Sequence, residues 1–170
     1  MDFKRFVRDV PDFPRAGVVF KDITPLLTDA QAFGWAIDAM AEPALALRPT
    51  HVLGLESRGF IIGSAMAQKL GLGFVPARKP GRLPRATFSQ AYTSEYGEDA
   101  LEIHQDAFKA GDRVLMVDDL MATGCTAAAA RALIERTGAH PVALTLFIEL
   151  GSRKGRDLLK GLPVFSVLTC

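Results

Sequence analysis

Cysteine is scarce in this chain. Only Cys125 and Cys170 occur among the 170 residues, too few for a disulfide framework and without the spacing of metal ligands. No signal-peptide pattern or long apolar span is present, and a net charge of +1 gives no bulk field to draw the chain to nucleic acid or a membrane surface. The simple expectation is a cytoplasmic protein with no nucleic-acid or membrane partner, in which any basic site is local. Two nucleotide motifs are missing as well. There is no Gly-x4-Gly-Lys-Ser/Thr run and no Gly-x-Gly-x-x-Gly after a strand pattern, so neither an ordinary P-loop nor a dinucleotide fold is indicated. The three histidines, His51, His104 and His140, lack ligand spacing and receive no catalytic role. No internal repeat or low-complexity tract appears.

What is present suits one domain over residues 1–170, with 49% hydrophobic and 23% charged residues and a sizeable core. Phe13 to Pro25 carries prolines and a glycine and reads as an ordered loop or short extended piece, a cover element within a hood over residues 1–28. Asp29 to Leu47 has helical character, broken or bent near Pro43. Thr50 to Leu55 reads as a strand, Phe60 to Leu70 as a helix ending at Gly71, and Gly73 to Ala77 as a further strand. Residues 78–97 are rich in Arg, Lys, Pro, Gly, Ser and Thr, with few apolar anchors, and predict a flexible loop. Strands follow at Ala100 to His104, Arg113 to Val117 and Pro141 to Ile148, with a helix between the last two ending near Gly138. This alternation predicts an α/β fold: a twisted, mostly parallel central sheet flanked by helices, with ligands collecting beyond the carboxyl ends of its strands. Three loops start at such ends, at Glu56, Arg78 and Asp118.

The last of these is the most informative. Val114-Leu115-Met116-Val117 is an apolar run suited to a buried parallel strand, and it leads into Asp118-Asp119 and then the small-residue turn Ala122-Thr123-Gly124-Cys125-Thr126. That turn opens the alanine-rich segment Ala127 to Thr137, so unpaired amides and the positive end of a helix dipole favour an anion there, such as a phosphate monoester. The two acids would repel that phosphate and should instead face hydrogen-bond donors such as vicinal hydroxyls. A sugar phosphate satisfies both demands. The bland alternative is a plain βα turn with Asp119 capping the helix and Gly124 relieving backbone strain, which accounts for one acid and not two.

This segment resembles the phosphoribosyl pyrophosphate signature of the type I phosphoribosyltransferases: apolar residues, two acids and a small-Thr-Gly-Gly-Thr loop. Cys125 stands where that family usually has glycine, and its Cβ would penalise a positive φ there. Phe13 to Leu27, Glu56-Ser57-Arg58-Gly59-Phe60, Arg78 to Pro84 and Glu95-Tyr96-Gly97 are similar to further blocks of the family's adenine-using branch, in the same order along the chain.

The resemblance implies a purine salvage enzyme that joins adenine to phosphoribosyl pyrophosphate, N9 attacking the anomeric carbon, to give AMP and pyrophosphate. It implies that Asp118 and Asp119 hold the ribose hydroxyls, that Ala122, Thr123, Gly124, Cys125 and Thr126 hold the 5′-phosphate, and that Arg58, Lys79 and Arg82 hold the pyrophosphate. Arg58 and Glu95 are then the catalytic candidates, Glu95 through proton handling at the purine. Val19, Phe20 and Lys21 would read the base, largely through backbone groups, with the opposite wall from Glu149 to Arg153. A non-proline cis peptide maps onto Glu56-Ser57. Magnesium is expected as a companion of substrate oxygens, with no protein metal ligand, and the chain is expected to form a homodimer.

Several roles keep plainer alternatives. Arg58 could pair with Glu56 at the surface, the basic loop could be merely solvated, and Glu95 could be a surface carboxylate. Lys21 stands where many relatives have arginine, and some have an apolar residue at the position of Arg153. Transfer to another 6-substituted purine therefore stays open, as does a silent sensor of phosphoribosyl pyrophosphate.

Overall fold

The computed structural model describes residues 2–94 and 97–170. The chain divides into two compact units, Met1–Ala39 and Met40–Cys170.

The first unit begins with a 3-10 turn at Phe3–Phe6, followed by an antiparallel pair of short strands, β1 (Arg8–Pro11) and β2 (Val19–Asp22), paired from Arg8 with Asp22 to Pro11 with Val19. A one-turn helix, α1 (Thr24–Thr28), comes next, with Pro25 in its first turn where a missing N–H costs nothing. The longer α2 (Ala30–Leu45) spans the boundary between the units. Asp29 caps it, its Oδ1 accepting from the amides of Gln31 and Ala32. The sequence predicts a helix broken or bent near Pro43, and α2 runs through it unbroken. The ring removes one donor only two residues before the helix ends, where the ladder is about to stop anyway.

The second unit is built on a sheet of β3 (His51–Leu55), β4 (Gly73–Ala77), β7 (Arg113–Met121), β8 (His140–Glu149) and β9 (Val164–Thr169), in the order β4-β3-β7-β8-β9 with every neighbouring pair parallel. Val114 to Val117 and Ala143 to Ile148 are all buried, as near-continuous apolar runs require of strands covered on both faces. The helices α3 (Arg58–Leu70) and α4 (Cys125–Arg136) connect β3 to β4 and β7 to β8. Gly71 ends α3 in the left-handed conformation at φ 67°.

Between β4 and β7 the sequence predicts an irregular loop over 78–97 and a short strand from Ala100. The structure instead forms a hairpin of β5 (Thr87–Ser94) and β6 (Gly97–His104), paired from Thr87 with His104 to Ser94 with Gly97. The polar alternation of Thr87 to Ser94 is that of a strand with one solvated face, and its partner strand is what satisfies its backbone. Backbone bonds between Arg78 and Glu102 tie the hairpin to the chain leaving β4.

Candidate active site

The loops that follow β3, β4, β7 and β8 all emerge at the same rim of the sheet, because the strands are parallel. On β7 the two acids fall on opposite faces of the strand. Asp119 is buried and Asp118 half-buried, its Oδ1 accepting the amide of Asp119 at 2.9 Å. Against Asp118 packs the first turn of α3. A Cβ on Gly59 would stand 2.8 Å from the Val117 carbonyl oxygen and 2.9 Å from Asp118 Oδ1, so only glycine allows the approach. One residue earlier, Arg58 places Nε 2.8 Å from Asp119 Oδ2. The contact is an ion pair without hydrogen-bond alignment, for the buried Oδ2 has no aligned donor. Both carboxyls stand above the ordinary aspartate range. Burial is the leading cause for each, the Asp119 charge adds to it at Asp118, and the Arg58 guanidinium pulls Asp119 back down.

The plainer alternatives can be set beside the bonds found. The N-cap of α4 is Gly124, with no side-chain cap, so Asp119 is not a helix cap. Arg58 faces Asp119, while Glu56 takes Arg78 Nη2 at 3.2 Å and the Lys79 amide at 2.5 Å.

In the turn after β7 the positive φ falls on Gly124, at 80°, and Cys125 is the first residue of α4. The backbone conflict expected at Cys125 therefore does not arise: a residue opening a right-handed helix accepts a Cβ. The Thr123 hydroxyl donates to Cys125 Sγ at 3.3 Å. The first-turn amides of α4 have no partner four residues back and point toward the same end of the helix.

The loop after β3 contains a cis peptide at Glu56-Ser57, the bond that the resemblance marks. Lys79 and Arg82 diverge in setting. The Lys79 ammonium pairs with Asp99 and donates to the Tyr92 hydroxyl at 2.7 Å, both on the hairpin. Arg82 is exposed, with its carbonyl accepting from Arg78 Nη1. Although partial burial would raise the Glu56 carboxyl, the Lys79 amide, Arg78 and the charge of Arg82 outweigh it and hold Glu56 below the usual range.

Within the first unit, Val19 is exposed, and the ring of Phe20 meets that of Phe13 edge-on with centroids 5.1 Å apart. The Lys21 ammonium is engaged by Asp9 of β1, at 2.7 and 2.9 Å from its two oxygens. Glu95 lies outside the described residues.

Residues 27–166 match the family model described as the phosphoribosyl transferase domain. The adenine phosphoribosyltransferase of Carboxydothermus hydrogenoformans is 51% identical over 168 residues, covering 99% of each chain. This chain belongs to the adenine phosphoribosyltransferase family. Of solved structures of adenine phosphoribosyltransferases, the one from Rhodothermus marinus matches with a TM-score of 0.95 at 47% identity, covering 99% of this chain and 96% of that one. The Saccharomyces cerevisiae enzyme, complexed with an imino-altritol bisphosphate and adenine, matches with a TM-score of 0.92 at 40% identity, covering 98% and 97%. For an adenine phosphoribosyltransferase family member, the residues that the sequence leaves unmarked are the partners: Asp99 and Tyr92 on Lys79, Gly155 against Gly124, and Arg156 on Glu149. Each partner is distant in sequence or unremarkable in type, and no local pattern points to it.

Proposed function

We propose that the chain transfers the phosphoribosyl group of phosphoribosyl pyrophosphate to N9 of adenine, releasing AMP and pyrophosphate, as a purine salvage enzyme of the cytoplasm that acts as a homodimer. The arrangement at the end of β7 carries the proposal: two crowded carboxyls, one facing Arg58, stand two residues before a turn that opens a helix with unpaired amides. Carboxylates accept from vicinal hydroxyls, and helix-start amides donate to a phosphate, so one short segment carries the groups that a ribose and its 5′-phosphate call for.

The reaction breaks the bond between the anomeric carbon and pyrophosphate, whose oxygens keep the electron pair, and forms the bond to N9, which loses its proton. Negative charge grows on the leaving oxygens. Arg58, Lys79 and Arg82 are the cations assigned to it, and fixed charge that meets developing charge lowers the barrier. Glu95 is assigned to the purine proton. Val19, Phe20 and Lys21 are assigned to the base, and because Asp9 takes up the Lys21 ammonium, the assignment of Lys21 rests on its backbone groups.

Among the described residues, no group of three or more His, Cys, Asp or Glu side chains stands together as a metal cage. Asp118 and Asp119 offer only carboxylate oxygen at the ribose position, a donor set that fits a magnesium ion carried on substrate oxygens and water. When bound, such an ion offsets charge on the pyrophosphate.

Product analysis tests the proposal. Adenine, hypoxanthine and guanine are each supplied with phosphoribosyl pyrophosphate and magnesium, and AMP from adenine is the expected product. Nucleotide from another base alone would reassign the base site, and binding without any product would make the chain a sensor.

A further inference from the structure

After β8 the chain passes through two 3-10 turns, Gly151–Arg153 and Gly155–Leu159, before entering β9. Gly155 presses against the turn that follows β7. A Cβ on Gly124 would stand 2.3 Å from the Gly155 carbonyl oxygen, and a Cβ on Gly155 would stand 2.6 Å from the Ala122 carbonyl oxygen and 3.0 Å from Met121 Cγ. Backbone meets backbone, with no side chain between Gly124 and Gly155 to absorb a shift. Where Gly155 sits, the turn must follow.

The residue beside Gly155 fixes it. Arg156 donates from Nε to Glu149 Oε1 and from Nη2 to Glu149 Oε2, both at 2.7 Å, in a two-pronged pair. Ser166 of β9 donates to the same Oε2 at 2.9 Å. Glu149 is the buried last residue of β8, so the pair anchors the 3-10 turn to the rigid sheet. A half-exposed guanidinium adds little to global stability, whereas its fork fixes orientation.

We propose that Glu149 and Arg156 are positioning residues for the 5′-phosphate: acting through Gly155, their ion pair holds the turn Ala122 to Thr126 at the height where its amides meet a phosphate monoester. This rests on the role given to that turn under Proposed function. Neither side chain is itself assigned a contact with the phosphate.

The test titrates ribose 5-phosphate by calorimetry into the full chain and its Arg156→Ala and Arg156→Lys variants, and measures steady-state kinetics of each. Arg131→Ala serves as the control, because Arg131 binds the Lys160 carbonyl just beyond the same 3-10 turn without touching Glu149. In Arg156→Ala the dissociation constant of ribose 5-phosphate and the KM for phosphoribosyl pyrophosphate should each rise about tenfold or more, since small misplacement of a binding group costs up to roughly a hundredfold. The KM for adenine and kcat should stay near native, the split expected when ground-state binding is lost. Arg156→Lys, which keeps the charge and the fold but not the fork, should fall between. Native affinity for ribose 5-phosphate in both Arg156 variants, or an equal loss in Arg131→Ala, would overturn the proposal alone. No binding of ribose 5-phosphate by the unaltered chain would remove the role of the turn, and the proposal with it.

Discussion

Arg58 Nε stands 2.8 Å from Asp119 Oδ2, so the cation assigned to pyrophosphate and the carboxylate assigned to ribose hold each other. The guanidinium keeps a buried carboxyl from rising further, against a desolvation that favours its neutral form.

Removing that cation should therefore act twice. Arg58→Ala should lower kcat/KM by roughly a hundredfold, the usual scale for losing one fixed electrostatic donor. It should also move the acid limb of the kcat/KM profile to higher pH, because Asp119 then ionises later. Arg58→Lys should restore the limb more than the rate. A profile of wild-type and both variants checks this, and an unmoved limb in Arg58→Ala would count against the pairing.

The carboxyl of Asp118 stands well above its ordinary 3.8, through burial first and the Asp119 charge second. The fold thus favours its protonated form, and the stability linked to it is complete below pH 3.8 and is lost as pH rises through the raised value. Asp118→Asn should melt above wild type at neutral pH, with the gap closing as pH falls toward 3.8, while kcat/KM drops. Thermal melts across that range decide the matter, and a variant melting lower at neutral pH would contradict it.

Two glycines give opposite expectations. Gly59→Ala forces a methyl against the Val117 carbonyl and Asp118, and overpacking of this kind costs about 1–3 kcal/mol. Gly34→Ala, in α2 with nothing within 4 Å, should gain up to about 1 kcal/mol from helix propensity. Denaturant unfolding of the pair reads both signs.

The Lys79 ammonium is oriented by Asp99 and Tyr92, leaving one of its three donors for a ligand. Asp99→Asn should raise the KM for phosphoribosyl pyrophosphate several-fold. In a double-mutant cycle with Lys79→Met, the second change should add little to the first. Full additivity would show that Asp99 does not act through Lys79.

The central motif was legible because all its parts are local. Val114 to Val117, the two acids and the small turn all lie within Val114 to Thr126, and a plain βα turn accounts for only one of the two acids. The strand Val164–Thr169 escaped because a short apolar tail carries no periodic signal, and Thr87–Ser94 escaped because a polar alternation reads as loop until its partner strand is known. Glu56 lies 22 residues from Arg78, and Arg58 is 61 positions before Asp119, so which cation meets which acid is decided by sheet order and not by spacing. The resemblance supplied the roles of Lys79 and Arg82. Only the fold shows that one is tethered and the other exposed.

Val19, Phe20 and Lys21 fall in Met1–Ala39, whereas the ribose, 5′-phosphate and pyrophosphate candidates all fall in Met40–Cys170. On the proposed assignments, these acceptor residues and those of the donor are written in separate stretches of one polypeptide, with Glu95 and Glu149 to Arg153 left on the donor's stretch. If those assignments hold in the assay of bases, drift among the first 39 residues retunes part of the choice of heterocycle while the donor residues are inherited unchanged.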